Sequence, residues 1–324
     1  MKLLIHAVLG SLVVITQVCA QSGWRPEKQV EIILPTAPGG GNDTVARLMA
    51  KMLQEQKLVT TPILAVNKPG GNQAIALAYL VQHAGDPHFL KLATTTLFTN
   101  QIQGLTQARY VEFPALAFAT NDYSAFMVSA NSSFKTMKDL TDRLKTEPES
   151  VAFSVVARGG TSHAAAATVA KAIGVDVKRL KIVVFKTSAE ATTALMGGHI
   201  QASVSSAAGS TPPVVAGQLR MLAIAAPQRK PGAISHVPTL AELGIDVPIL
   251  ANWRVVLGAR GITPAQVAFW EDALARAFTA DEWKAWTTAN DAAAPALRGV
   301  ELQKYLEGQY SYTRNVLIDL GLAK

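Results

Sequence analysis

The apolar positions of this chain switch repeatedly between short continuous runs and spacings of three and four. Val30 to Leu34 is a β-branched run ending at Pro35 and reads as a strand. From Thr44 onward, Val45, Leu48, Met49, Met52 and Leu53 fall on one helix face. Between them lie Gly39, Gly40 and Gly41, with Asn42 and Asp43 as expected N-caps of the helix. Ile63 to Val66 is a second strand. It leads through Asn67 into another glycine loop, Gly70-Gly71, and a helix from about Ala74 to His83. Leu90 to Thr95 is a third strand, with Thr94, Thr95 and Thr96 at its C-terminal end, and a fourth lies within Val111 to Phe118. Strand and helix in alternation predict βαβ units and a largely parallel sheet.

From Asn121 the alternation restarts. Tyr123 to Ser129 reads as a strand. Thr136 caps a helix, with Asp139 three residues on as in a capping box. Val151 to Val156 is a strand that enters Arg158-Gly159-Gly160-Thr161-Ser162-His163. An alanine-rich helix follows to Ile173 and stops at Gly174. Strands at Ile182 to Phe185, Ala202 to Ser206 and Met221 to Ala226 alternate with helices from Ala189 to Met196 and before Gly217. Pro238 to Gly244 is expected to be a short capped helix. Thr263-Pro264 starts a long amphipathic one, and Asp281 to Trp286 and Val300 to Leu320 supply two more. Trp270, Trp283 and Trp286 in these helices read as core.

Residues 38–43 and 158–163 share one local plan: strand, glycine turn, amide or hydroxyl residues, helix. Such a junction presents free backbone N–H groups and the positive end of a helix dipole, which suits an anion. Either stretch alone reads equally as a tight turn that binds nothing. Ligands of open α/β sheets sit outside the carboxyl ends of strands, so the duplication favours an anion gripped from both sides.

The ends and the composition narrow the setting. Residues 1–20 have Lys2 as a basic start, an apolar run from Leu3 to Ile15 and small residues before Gln21, the pattern of a cleaved export signal. Cys19 is the only cysteine, so the mature chain would have no disulfide, catalytic thiol or Cys-ligated metal. The remaining length predicts two domains. A hydrophobic share of 49% with 16% charged residues is that of a globular protein. The formal charge of +7 is scattered, and no nucleic-acid motif accompanies it. It would draw in anionic solutes without selecting one. No His-x-x-x-His pair, Gly-x-Ser-x-Gly elbow or Gly-Lys-Ser phosphate loop is present, which favours binding without chemistry, cofactor or metal.

Six segments in order resemble the extracytoplasmic receptors of tripartite tricarboxylate transporters, the Bug-type receptors. They are Val30 to Pro35 with Pro38 to Asp43 and Ala46-Arg47; Val66 to Gly70; Gly160 to His163; Ala194 to His199; Gly217 to Ala223; and Val237 to Gly244. The resemblance covers nearly the whole mature chain. It implies an α/β type II periplasmic-binding-protein fold, with two doubly wound lobes joined by two crossovers. Residues 21–122 and 228–324 would form lobe 1 and residues 123–227 lobe 2, with crossovers near Asn121–Tyr123 and Ala226–Gln228. It further implies a monomer in the periplasm that closes on a small di-, tri- or aromatic carboxylate and serves membrane permease subunits. Alternatives are a periplasmic partner for a sensor kinase and, more remotely, an exported enzyme. The carboxylate would be held largely by backbone amides of Ala37 to Asp43 and Gly159 to His163. The chain departs from the family pattern at Gly71-Asn72-Gln73, at Arg158, and in Gln201 to Ser206, which lacks an Asp.

Single residues carry further expectations. Ala37, Gly39, Gly40, Gly41 and Asn42 form the first grip. Asp43 would repel an anion and is expected to order the loop instead. Gly160, Thr161, Ser162 and His163 form the second. Thr161 and Ser162 either cap their helix or touch the ligand, and His163 either packs locally or donates one hydrogen bond as a neutral imidazole. Asn67, Thr94 and Thr95 lie at strand ends on the same crevice. Arg158 and Lys186 either pair with a distal carboxylate or are solvated surface charges. Arg254, beside Trp253, is assigned to interlobe or surface structure.

Overall fold

The computed structural model describes residues 23–324 apart from 40, 156–157, 186–187, 249–250, 291 and 293–294. The proposed export signal, Gly40 and Lys186 therefore lie outside the described residues. The first part of the chain runs β1 (Val30–Leu34), α1 (Gly41–Glu55), β2 (Ile63–Asn67), α2 (Ala74–Gln82), β3 (Phe89–Ala93), α3 (Thr96–Ile102) and β4 (Ala115–Thr120). The second runs β5 (Ser124–Ser129), α4 (Met137–Thr146), β6 (Ala152–Val155), α5 (Thr161–Ala172), β7 (Lys181–Val184), α6 (Ser188–Met196), β8 (Ala202–Ser206), α7 (Ala207–Val215) and β9 (Leu219–Ile224). The chain then returns through β10 (Arg254–Gly258), α8 (Pro264–Ala277), α9 (Asp281–Ala289) and α10 (Gly299–Asp319).

Two five-stranded sheets result, in the orders β2-β1-β3-β10-β4 and β7-β6-β8-β5-β9. Each is largely parallel, as the alternation predicts, with four strands running one way and one inverted. β1 pairs in parallel with β2 and β3, but β10 lies antiparallel between β3 and β4. In the other sheet β6 is parallel to β7 and β8, and β5 lies antiparallel between β8 and β9. The inverted strands are the ones that follow the two crossings between sheets. A strand that enters a sheet without a helical crossover within that sheet need not run parallel to its neighbours.

Both faces of each sheet are covered, as runs of continuously apolar strands require. Val30, Ile32 and Leu34 pack with Met49 and Leu53 of α1 and with Trp270 and Trp283 of α8 and α9. Ile33, Val255 and Leu257 face the opposite way, onto Leu77, Leu80, Phe98 and Leu302. Phe126, Val128 and Phe153 pack on α4 and α5, while Ala125, Met127 and Ala152 pack on α6, α7, Ile234 and Val237. Capping boxes form at α4 between Thr136 and Asp139 and at α8 between Thr263 and Gln266. Among the described residues no helix is long and apolar enough to cross a membrane.

One expectation is corrected. Pro238 to Gly244 is a turn, not a helix. Leu240 N–H donates to the carbonyl of Ile224, and Ile224 N–H donates to that of Pro238, so the segment docks on β9. The Thr239 and Glu242 cap bonds form, but Gly244 at φ 73° ends the turn at once. The segment after residue 228 also stays with the second sheet: Ile234, Val237, Leu240 and Ile245 are buried in its cores. We propose a second crossover at Ala251–Asn252, where Ala251 bridges Tyr123 and Asn252 N–H donates to the carbonyl of Asp122.

Helix α10 packs on both lobes. Leu302, Leu306 and Leu317 join the core of the first sheet and Val316 that of the second. Tyr312 hydrogen-bonds Thr168 of α5 at 2.7 Å, and Lys171 pairs with Asp319 at 2.5 Å. The turn at Gly159 (φ 74°) backs onto this helix. A Cβ there would lie 2.9 Å from Leu317 Cδ2 and 2.2 Å from Gln103 Nε2. Gly159→Ala should therefore lower stability by about 1–3 kcal/mol, the usual scale of overpacking, read as a lower urea midpoint at unchanged m-value.

Lys91 in β3 is 2% exposed, between Ile33 and Leu257, with one bond from Nζ to the Leu92 carbonyl at 3.3 Å. Burial brings its ammonium down to about 7. The unfolded chain keeps the ordinary lysine value, so it binds more protons than the fold between pH 7 and about 10. The penalty is complete below pH 7 and fades as pH rises toward 10. Lys91→Met should raise stability by about 1–4 kcal/mol at pH 7, as for other buried charges replaced by apolar side chains. The gain should shrink in melts at pH 9–10.

Candidate functional site

The first grip forms where β1 ends. Gly39 takes φ 83°, and α1 begins at Gly41, so Asn42 and Asp43 lie inside its first turn and do not cap it. The reason is the use made of Asp43. Its Oδ2 accepts from Gly39 N–H at 3.1 Å and from Arg47 Nε at 2.9 Å. Its Oδ1 accepts from Arg47 Nη2 at 3.0 Å and from Asn67 Nδ2 at 3.1 Å. The Arg47 bonds above all, helped by Gly39 and Asn67 and opposed by burial, hold its carboxyl down to about 2. Asn67 Nδ2 also donates to the Thr36 carbonyl at 2.9 Å, so the end of β2 is tied to the loop. Asp43 and Asn67 thus act on loop shape. Ala37 and Gly39 stand exposed on it.

The second grip lies between β6 and α5. Gly159 N–H donates to His163 Nδ1 at 2.9 Å. A neutral imidazole accepting at Nδ1 carries its proton on Nε2. His163 is buried, and burial first and the charge of Arg158 second push it down to about 4. It is therefore neutral at physiological pH and fixed in one tautomer. Gly160 stands at the N-cap position, and Thr161 is the first helical residue. The Thr161 hydroxyl makes no cap. It meets the Thr95 hydroxyl at 2.7 Å, across from one lobe to the other. Thr95 Oγ1 also donates to Asn252 Oδ1 at 3.3 Å. With that proton committed, Thr161 is the donor to Thr95.

The structure gathers Thr95, Thr161 and Asn252 at one point, at the C-terminal edge shared by the parallel strands β1 and β3. Thr94 is not at that point. It is buried, and its hydroxyl bonds Gln73 Oε1 at 3.0 Å and the Thr96 hydroxyl at 2.7 Å. Ser162 is partly buried on the first turn of α5, and Arg158 is exposed. Two residues were missed in sequence. Asn252 has no local signal, because its partners Asp122 and Thr95 are distant in sequence. Arg254, expected as interlobe or surface structure, lies near Asp122, which bonds Ser206 of the second sheet. It is half-buried, and its Nε donates to Asn42 Oδ1 at 2.6 Å. Among the described residues no three His, Cys, Asp or Glu side chains come together as metal ligands.

Comparison with known proteins follows this geometry. Residues 45–322 match the family described as the tripartite tricarboxylate transporter family receptor. Protein BugT of Bordetella pertussis is 25% identical over 267 residues, covering 80% of this chain and 79% of that protein. A solved solute-binding protein of the same family from Polaromonas is 27% identical with a TM-score of 0.76, covering 91% of this chain and 99% of that one. MatC from Rhodopseudomonas palustris, solved with bound malate, is 22% identical with a TM-score of 0.76 and covers 90% and 99%. A second R. palustris protein, solved with adipate, is 24% identical with a TM-score of 0.79 and covers 92% and 99%. The fold is that of periplasmic solute-binding receptors, which are not enzymes. The chain belongs to the receptor family of the tripartite tricarboxylate transporters.

Proposed function

We propose that this receptor captures a small organic carboxylate between its two helix-starting loops and delivers it to the permease subunits of a tripartite transporter. The observation that carries the reading is the junction of the two lobes at Thr95 and Thr161, beside two glycine turns that open helices α1 and α5. Backbone N–H groups of the loops from Ala37 to Asn42 and from Gly160 to Ser162 would hold one carboxylate, and His163 would keep the second loop in shape. Arg158 and Lys186 are the candidates for a distal carboxylate. The malate and adipate bound by two fold relatives support a dicarboxylate of four to six carbons. The apolar stretch before Gln21 supports export to the periplasm.

Ligand bridging both lobes favours the closed arrangement, because only that arrangement offers all contacts at once. Calorimetric and thermal-shift screening of di-, tri- and aromatic carboxylates should give a stabilising hit. A response confined to neutral sugars or metal ions would overturn the reading.

Asp43→Asn removes the charge and one of the two acceptor oxygens that hold Gly39, Arg47 and Asn67. It should lower stability at pH 7 by about 1–3 kcal/mol, the cost of breaking charge-assisted bonds. The ordered carboxylate contributes above the unfolded pKa near 4, and the contribution is lost as pH falls toward 2. The gap between wild type and variant should therefore close in melts below pH 4. The variant should also bind carboxylates more weakly, because the tether on Gly39 is weakened.

A further inference from the structure

Arg254 opens β10 at the C-terminal edge of the first sheet, where the next residue, Val255, pairs with Ala93. Its Nε donates to Asn42 Oδ1 at 2.6 Å and its Nη1 to Thr120 Oγ1 at 3.3 Å. Its Nη2 lies 3.2 Å from where a Cβ on Gly41 would stand. The guanidinium is thus packed against the first turn of α1, and Gly41 leaves room for it.

A cation in this place is electrostatically unfavourable in the empty protein. It meets the positive end of the α1 dipole, and it is half-buried. Burial draws its pKa down, with the charge of Asp122 opposing. The nearest acid on α1, Asp43, is already engaged by Arg47. Asp122 acts on Arg254 by its charge, while its Oδ1 accepts from Ser206 Oγ at 2.7 Å. Burial raises the pKa of Asp122 and the charge of Arg254 opposes that, so Asp122 is an internal counter-charge that also accepts from Ser206. A half-buried cation packed on a helix start, with one internal counter-charge shared with Ser206, makes a place for an outside anion.

We infer that Arg254 is a specificity-determining binding residue, presenting Nη2 to one ligand carboxylate at the first turn of α1. Asn42 adds to it. Its Oδ1 is taken by Arg254, so its remaining polar group is the Nδ2 donor. Asp122 competes with the ligand for the same guanidinium. The inference rests on the carboxylate reading above.

The test is calorimetry on wild type, Arg254→Gln, Arg254→Lys and Asp122→Asn with malate, adipate and the neutral diamide of adipate. Arg254→Gln should weaken the carboxylate that wild type binds by about 10- to 100-fold, the worth of a charge-assisted hydrogen bond, and leave the diamide unchanged. Arg254→Lys should keep the preference for carboxylate over diamide. Asp122→Asn, which retains an acceptor for Ser206, should bind the carboxylate several-fold more tightly. Unchanged affinity in Arg254→Gln, or equal loss of carboxylate and diamide, would overturn the inference while leaving the carboxylate reading intact. If thermal melts show Arg254→Gln unfolded, Asp122→Asn decides, and unchanged or weaker binding there overturns it. Wild type that binds no carboxylate would overturn both.

Discussion

The carboxylate of Asp43 is the contact on which the first half of the site depends. One side chain holds the N–H of Gly39, the guanidinium of Arg47 and the amide of Asn67. It joins the glycine turn, the first turns of α1 and the end of β2 into one rigid piece. Left unpaired, a negative charge in this place would repel an anionic ligand. Paired with Arg47 and saturated with donors, it fixes a loop on which Ala37 and Gly39 stand exposed. In the proposed site the positive sign would come from the helix start and Arg254, not from Asp43.

Two kinds of link join the lobes, and they differ in strength. The hydroxyl pair of Thr95 and Thr161 is a single neutral hydrogen bond, worth about 1 kcal/mol. Helix α10 buries Val316 in one core and Leu317 in the other, and each such side chain is worth about 1.5–3 kcal/mol. The contact at the cleft is therefore the one that yields first. A ligand gripping both loops adds its energy where the protein's own is smallest, which is the arrangement a binding-driven closure needs.

The alternation of strands and helices was legible because buried strands need apolar runs and amphipathic helices need spaced ones. Val30 to Leu34, the helix from Ala74 and the capped starts at Thr136 and Thr263 all follow from local chemistry. The turn at Pro238 to Gly244 was misread for the same reason. Its cap residues are those of a helix start, but the backbone bonds with Ile224 that decide the matter come from a strand distant in sequence. β10 escaped notice because Val255 to Leu257 is a very short apolar run. Its pairing with Ala93 and Thr120 spans well over a hundred residues.

The sequence by itself determined the alternating αβ pattern, the two glycine junctions and their suitability for an anion, since each rests on contacts within about ten residues. Tertiary structure alone decided which polar side chains meet. Thr161 reads in sequence as a cap or a ligand contact, and in space its hydroxyl meets that of Thr95. Arg254 reads in sequence as interlobe or surface structure, and in space its particular neighbours are Gly41 and Asn42. The physical reason is that β10 enters its sheet from the far crossover and runs antiparallel. No local period encodes the neighbours such a strand acquires.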